Sequence, residues 1–237
     1  LRRELIVAID GPSGAGKSTL SKLLARALNY TNIDTGAMYR CVALAAFRRG
    51  IDPADEESLG SLGRSVRIEF LRSNGGERVL LDGEDVSAAI RTPEISLLTS
   101  RVSACLAVRE AMVELQRRMG EKGGVVLEGR DIGTVVFPGA EAKFFLAASA
   151  KERGRRRYEE LCAKGHDVDL AQTVSEVEAR DAADSAREHA PLVQAPDAVA
   201  IDSTVMTIDE VLAVMLEEVR KRRSRAGCLE NDGGEKP

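Results

Sequence analysis

Residues 8–19, AIDGPSGAGKST, decide the fold. Within them Gly11, Pro12, Ser13, Gly14, Ala15, Gly16, Lys17 and Ser18 fit the pattern G-x-x-x-x-G-K-[ST], with Thr19 directly behind. In front stands ELIVAID (4–10), a short apolar run rich in β-branched residues that reads as a buried strand. Behind, Leu20, Leu23, Leu24, Ala27 and Leu28 recur at helical spacing and predict one apolar helix face. The order is strand, loop, helix. Glycines let such a loop curl until successive backbone N–H groups point inward and form an anion nest. The helix start adds its positive dipole end. Lys17 suits the β- and γ-phosphates of a nucleotide, and the Ser18 hydroxyl suits Mg²⁺. The motif names a phosphoryl donor of the ATP kind and leaves the acceptor open.

Working outward, YTNIDTGAMYR (30–40) predicts a second strand ending near Asp34, then a helix that stops at Gly50. VRIEFL (66–71) and RVLLDGEDVS (78–87) face each other across RSNGGE and read as a hairpin inserted into the alternation. Residues 94–120 read as helical, with Val108, Met112, Leu115 and Met119 on one face. GVVLEGRD (124–131), AKFFLAAS (142–149) and AVAIDST (198–204) read as strands. Residues 151–188 are charged and mostly helical. A last helix carries Ile208, Val211, Leu212, Met215, Leu216 and Val219. Five short apolar strands separated by helices imply an α/β protein with an open five-stranded parallel sheet. The expected domain spans 4–223, with its core at 4–61, 88–150 and 189–223. The insert is placed at 62–87, a helical lid at 151–188, and a disordered tail at 224–237.

Composition sets the outer bounds. With 43% hydrophobic and 30% charged residues the chain has the balance of a soluble globular domain. Its apolar runs are far shorter than a bilayer span, and the six-residue run before Asp10 is too short for a signal peptide. Cys41, Cys105, Cys162 and Cys228 lie far apart, which suits a reducing cytoplasm. A net charge of −4 argues against a nucleic-acid partner, and no apolar stripe argues against a monomer.

Three uses of a bound nucleotide compete. A switch GTPase needs N-K-x-D and a transporter ATPase an L-S-G-G-Q signature; neither occurs. A kinase for a charged acceptor needs a second anion site, for which the planar fork of arginine is suited. Arg40 follows the second strand and Arg130 the third, at the strand edge where open α/β sheets bind ligands. Arg180, Asp184 and Arg187 are spaced for one helix face, as are Arg153, Arg156 and Arg157. Either helix alone could be a solvated surface of weak ion pairs; beside the loop they favour function.

IDGPSGAGKST, DTGAMYR, EGRDIGTVVFP, the RD…D..R pattern and APLVQAPDAVAIDST together resemble the bacterial cytidylate kinases, a branch of the nucleoside monophosphate kinases, over about residues 5–222. The resemblance implies a P-loop core, a small β-containing region that binds the monophosphate, and a lid. It implies transfer from ATP, with Mg²⁺, to CMP or dCMP. Arg40, Arg130 and Arg187 would clamp the acceptor phosphate; Ser100, Arg109 and Asp131 would read the cytosine edge, with Arg180 close by. Asp184 would hold the sugar hydroxyl, and Thr35 stands near the acceptor. Arg153, Arg156 and Arg157 would close over the ATP phosphates. Lys17, Arg130, Arg187, Arg153 and Arg157 are then the catalytic set. Glu128 stands where some relatives carry Asp, and its role is left open. Neither His166 nor His189 reads as catalytic. Alternatives are a kinase for UMP, AMP or another small acceptor, or a nucleotide-dependent switch.

Overall fold

The computed structural model describes residues 4–73, 76–163, 165–187 and 190–231. In chain order the first elements are β1 (Ile6–Asp10), α1 (Lys17–Leu28), β2 (Thr31–Asp34), α2 (Thr35–Arg48) and α3 (Glu56–Ser65). There follow β3 (Ile68–Ser73), β4 (Gly76–Leu81), β5 (Glu84–Asp85), α4 (Pro93–Val102) and α5 (Leu106–Gly120). The last are β6 (Val125–Gly129), β7 (Ala142–Ala147), α6 (Ala150–Ala163), α7 (Leu170–Ser185), β8 (Val199–Asp202) and α8 (Ile208–Asn231). These segregate into two units, one formed by the residues up to Tyr30 together with those from Gly123 onward, the other by Thr31–Lys122.

The main sheet has five strands, as the alternation predicts, and four lie in the first unit in the parallel order β6-β1-β7-β8. Every residue of β1 is buried, because a central parallel strand is covered on both faces. Its Val7 and Ile9 share a core with Leu20 and Leu24 of α1, Phe144 and Leu146 of β7, and Val211, Met215 and Val219 of α8. Gly11 follows β1 directly. A Cβ there would overlap the Leu146 carbonyl oxygen, and its φ of +146° is one that only glycine adopts readily, so the loop can leave the sheet only through a glycine.

In the second unit α2, α3, α4 and α5 enclose Met38, Val42, Leu59, Val108 and Met112. The expected hairpin is present as β3 and β4, antiparallel with Ile68 opposite Leu81, and β5 adds a short third strand. Helix α3 was not anticipated, since its Gly60 and Gly63 depress helix propensity. They are there for packing: a Cβ on Gly60 would stand 2.6 Å from Ala107 Cβ of α5.

Other expectations change in detail. The stretch 94–120 is two helices, because Ser103 ends α4 and Cys105 leaves the helical conformation before α5 begins. Residues 151–188 are also two helices. One π-turn, Ile132–Val136, follows β6 where no regular element was foreseen. The 224–237 tail is corrected over its first part: α8 continues to Asn231, in a stretch rich in the helix formers Arg, Lys and Glu, with Glu217–Lys221 and Glu218–Arg222 pairs one turn apart. Residues 232–237 and His189 lie outside the described residues. Among the described residues no helix is long and apolar enough to cross a membrane.

Candidate active site

The loop between β1 and α1 holds its own shape. Lys17 is buried, and its ammonium donates to the Pro12 carbonyl at 2.6 Å. Burial, and then the neighbouring Arg130 guanidinium, push its pKa well below that of an ordinary lysine, against the pull of Glu128, Asp10 and Asp184. An incoming polyphosphate supplies the anion this ammonium lacks. Ser18 Oγ donates to Glu128 Oε2 at 2.8 Å, and Ser21 Oγ reaches Oε1 of the same carboxylate at 3.4 Å. The position left open in sequence is thus the carboxylate beside the motif's hydroxyl. A hydroxyl and a carboxylate suit a hard cation that takes its remaining ligands from phosphates and water. Among the described residues no group of three or more His, Cys, Asp or Glu could hold a metal without such help.

Arg130 leaves the end of β6 and donates from Nε to Asp184 Oδ2 at 2.8 Å. Arg187 pairs with the other oxygen, Oδ1, of the same carboxylate. Sequence spacing put Arg180, Asp184 and Arg187 on one helix face, yet α7 ends at Ser185, and Arg187 turns back from beyond it. Burial raises the Asp184 pKa, but Arg130, Arg187 and Arg180 outweigh it and hold the carboxylate below the usual range. Two guanidinium groups gathered on one buried carboxylate keep further N–H donors for a phosphate.

The three arginines of α6 part company. Arg153 is buried: Nε donates to Ala148 O at 2.8 Å, Nη1 to Ser13 O at 3.0 Å, and the guanidinium forms a two-pronged pair with Asp181 of α7. It is thereby tied to the loop itself. Arg156 donates to the Ser203 carbonyl at 2.7 Å and to Glu152, and Arg157 lies exposed beside Glu160. Helices α6 and α7 cross closely at Gly154, where a Cβ would overlap the Val174 side chain.

In the second unit, Thr35 opens α2 and is buried. Asp34 caps that helix through Ala37 N at 2.8 Å, and its second oxygen pairs with Arg40 at 3.0 Å. Arg40 Nε is buried without a hydrogen-bond partner among the described residues, a donor held ready for an anion. Arg109 is buried on α5, 5.8 Å over the Tyr39 ring, while Ser100 is exposed on α4. His166 is exposed. Sequence reasoning missed Asp10 and Asp181. Asp10 stood inside the diagnostic stretch as a carboxylate ending an apolar strand; Asp181 had no signal, because its link to Arg153 joins two helices.

A phosphate-binding loop on a parallel sheet, with arginines at the adjoining strand end, defines the class of P-loop kinases. The cytidylate kinase family model matches residues 7–221, and the chain belongs to that family. Cytidylate kinase of Syntrophotalea carbinolica is 69% identical over 223 residues, covering 94% of this chain and 95% of its own. That of Geobacter sulfurreducens is 61% identical over 221 residues, covering 93% and 95%. The crystal structure of an uncharacterized protein from Eubacterium ventriosum shares the fold, with a TM-score of 0.50 at 10% identity over 92% of this chain and 99% of that one.

Proposed function

We propose that this chain transfers the γ-phosphoryl group of ATP to CMP or dCMP, giving ADP and the diphosphate. The observation that carries the reading is the pairing, within one unit, of a formed phosphate loop with the Arg130–Asp184–Arg187 cluster, in a member of the cytidylate kinase family. Each role follows from chemistry on the page. Lys17 and the loop N–H groups bind the β- and γ-phosphates; Arg130 and Arg187 hold the acceptor phosphate and draw charge from the migrating group. That group is metaphosphate-like, so alignment and charge neutralisation do the work and no covalent intermediate is needed. Mg²⁺ held by the Ser18 hydroxyl, with Glu128 behind it, would supply further positive charge to the phosphates. Helices α6 and α7 act as the lid that excludes water, with Arg156 and Arg157 on it, while Arg153 braces the loop.

In the second unit, Arg40 is assigned to phosphate, Ser100 and Arg109 to the base, and the β3–β4–β5 region to monophosphate binding. An ionised Asp131 can only accept, which suits the amino group of cytosine and opposes the carbonyl of uracil. We take the chain as a cytoplasmic monomer with no nucleic-acid or membrane partner. The test is ADP release with CMP, dCMP, UMP and AMP as acceptors. CMP and dCMP are expected to lead by orders of magnitude, and equal use of UMP overturns the choice of base.

A further inference from the structure

We propose that Asp10 is a positioning residue that sets Arg130 and Asp131 for the acceptor nucleotide, without touching substrate itself. The inference rests on the reading above that these two residues serve the acceptor. Asp10 ends β1 and is buried, and its register partner on β6 is Gly129, immediately before Arg130. Its two carboxylate oxygens each accept one backbone N–H: Oδ1 from Ile132 at 2.8 Å and Oδ2 from Gly133 at 2.7 Å. These are the first two amides of the π-turn Ile132–Val136, whose own N-cap residue, Asp131, makes no side-chain capping bond. Orphan amides at the start of a helical turn need an acceptor, and here one carboxylate from a neighbouring strand serves both.

The segment between the two anchors is short. It is fixed on one side by the β1–β6 register and on the other by the Asp10 cap, so residues 130 and 131 have little freedom left. Arg130 can then meet Asp184 at 2.8 Å, and Asp131 is held in a buried position. An ionised carboxylate is needed because only it offers two acceptors in the plane that two successive N–H groups require. The Gly133 side of the cap is close-packed. A Cβ there would stand 3.3 Å from Asp10 Oδ2 and 3.2 Å from Lys143 Cδ. Lys143 cannot easily retreat, since its ammonium is bound to Pro138 O and Asp197.

The experiment is steady-state kinetics of Asp10→Asn, varying the monophosphate that the wild type uses best and ATP in separate series. Asparagine keeps one acceptor and turns an NH₂ toward the second amide. The acceptor KM is expected to rise about tenfold, the size of one lost charge-assisted hydrogen bond, with the ATP KM changed less than about twofold. Gly133→Ala keeps the charge and crowds the cap, and is expected to give the same split at smaller size; it carries the test if Asp10→Asn does not fold. A purely structural role lowers the melting temperature and leaves both KM values in place, which overturns the proposal. So does an equal rise in both, which assigns Asp10 to the donor loop through Lys17. Wild-type preference among monophosphates is read separately, so a failure of the cytosine assignment is distinguishable from a failure of this one.

Discussion

At the scale of single residues, charge burial separates what sequence reveals from what it hides. Lys17 reads in sequence as a solvent-facing cation, but it is 5% exposed and bound to its own loop. Lys17→Met is therefore expected to lower kcat by about 10²–10³ while leaving the melting temperature unchanged or raised, since it deletes a desolvated ammonium. Turnover and a thermal melt on one preparation check both halves. The two buried aspartates carry opposite pH signatures. Burial lifts Asp10 to about 6, against its two backbone N–H bonds and with the Asp131 carboxylate adding to the rise. Between about pH 4 and 6 the folded chain then binds more protons than the unfolded one, and the Asp10 contribution to stability falls as pH rises. Asp184 is shifted the other way: its contribution is complete above the ordinary value of 3.8 and is lost as the pH falls through the lower folded value. Urea midpoints across acid pH should show Asp10→Asn removing the first slope and Asp184→Asn the second.

At the scale of elements, the close crossing of α6 and α7 is the most sensitive contact. Gly154→Ala places a methyl against Val174, with its Cα at 2.8 Å, and is expected to cost about 1–3 kcal/mol as overpacking. Adding Val174→Ala should recover most of that loss in a denaturant melt, because the clash is with that side chain. Elements made by local signals were legible: β1, the loop and α1 follow from apolar runs, glycines and 3–4 spacing. Those made by tertiary contact were not. Helix α3 exists despite two glycines because they admit α5, and the π-turn at 132–136 is held open by a carboxylate more than a hundred residues away in sequence. The Arg153–Asp181 pair was hidden for the same reason, although both residues stood inside quoted motifs.

At the scale of the whole molecule, the parallel sheet and the class of site were readable, because a P-loop fixes both at once. The extent of α8 was not, since charge without an apolar face reads as tail. Up to Ser224, the last buried residue of α8 is Val219, so ending the chain after Ser224 removes no described core contact. Activity and melting temperature are expected to stay within error, while circular dichroism loses about two turns of helix, the part of α8 removed. The order in which strands enter the sheet has a further consequence, for synthesis. Central strand β1 leaves the ribosome first, yet its partners on either side, β6 and β7, pair with it from Val125 and Ala142. At about 5–20 residues per second, roughly 6–25 s of elongation separate Ile6 from Val125. Throughout that interval five consecutive apolar-rich residues destined for complete burial have no sheet to join. The nascent chain thus presents, at its very front, a ready ligand for any chaperone waiting at the exit tunnel.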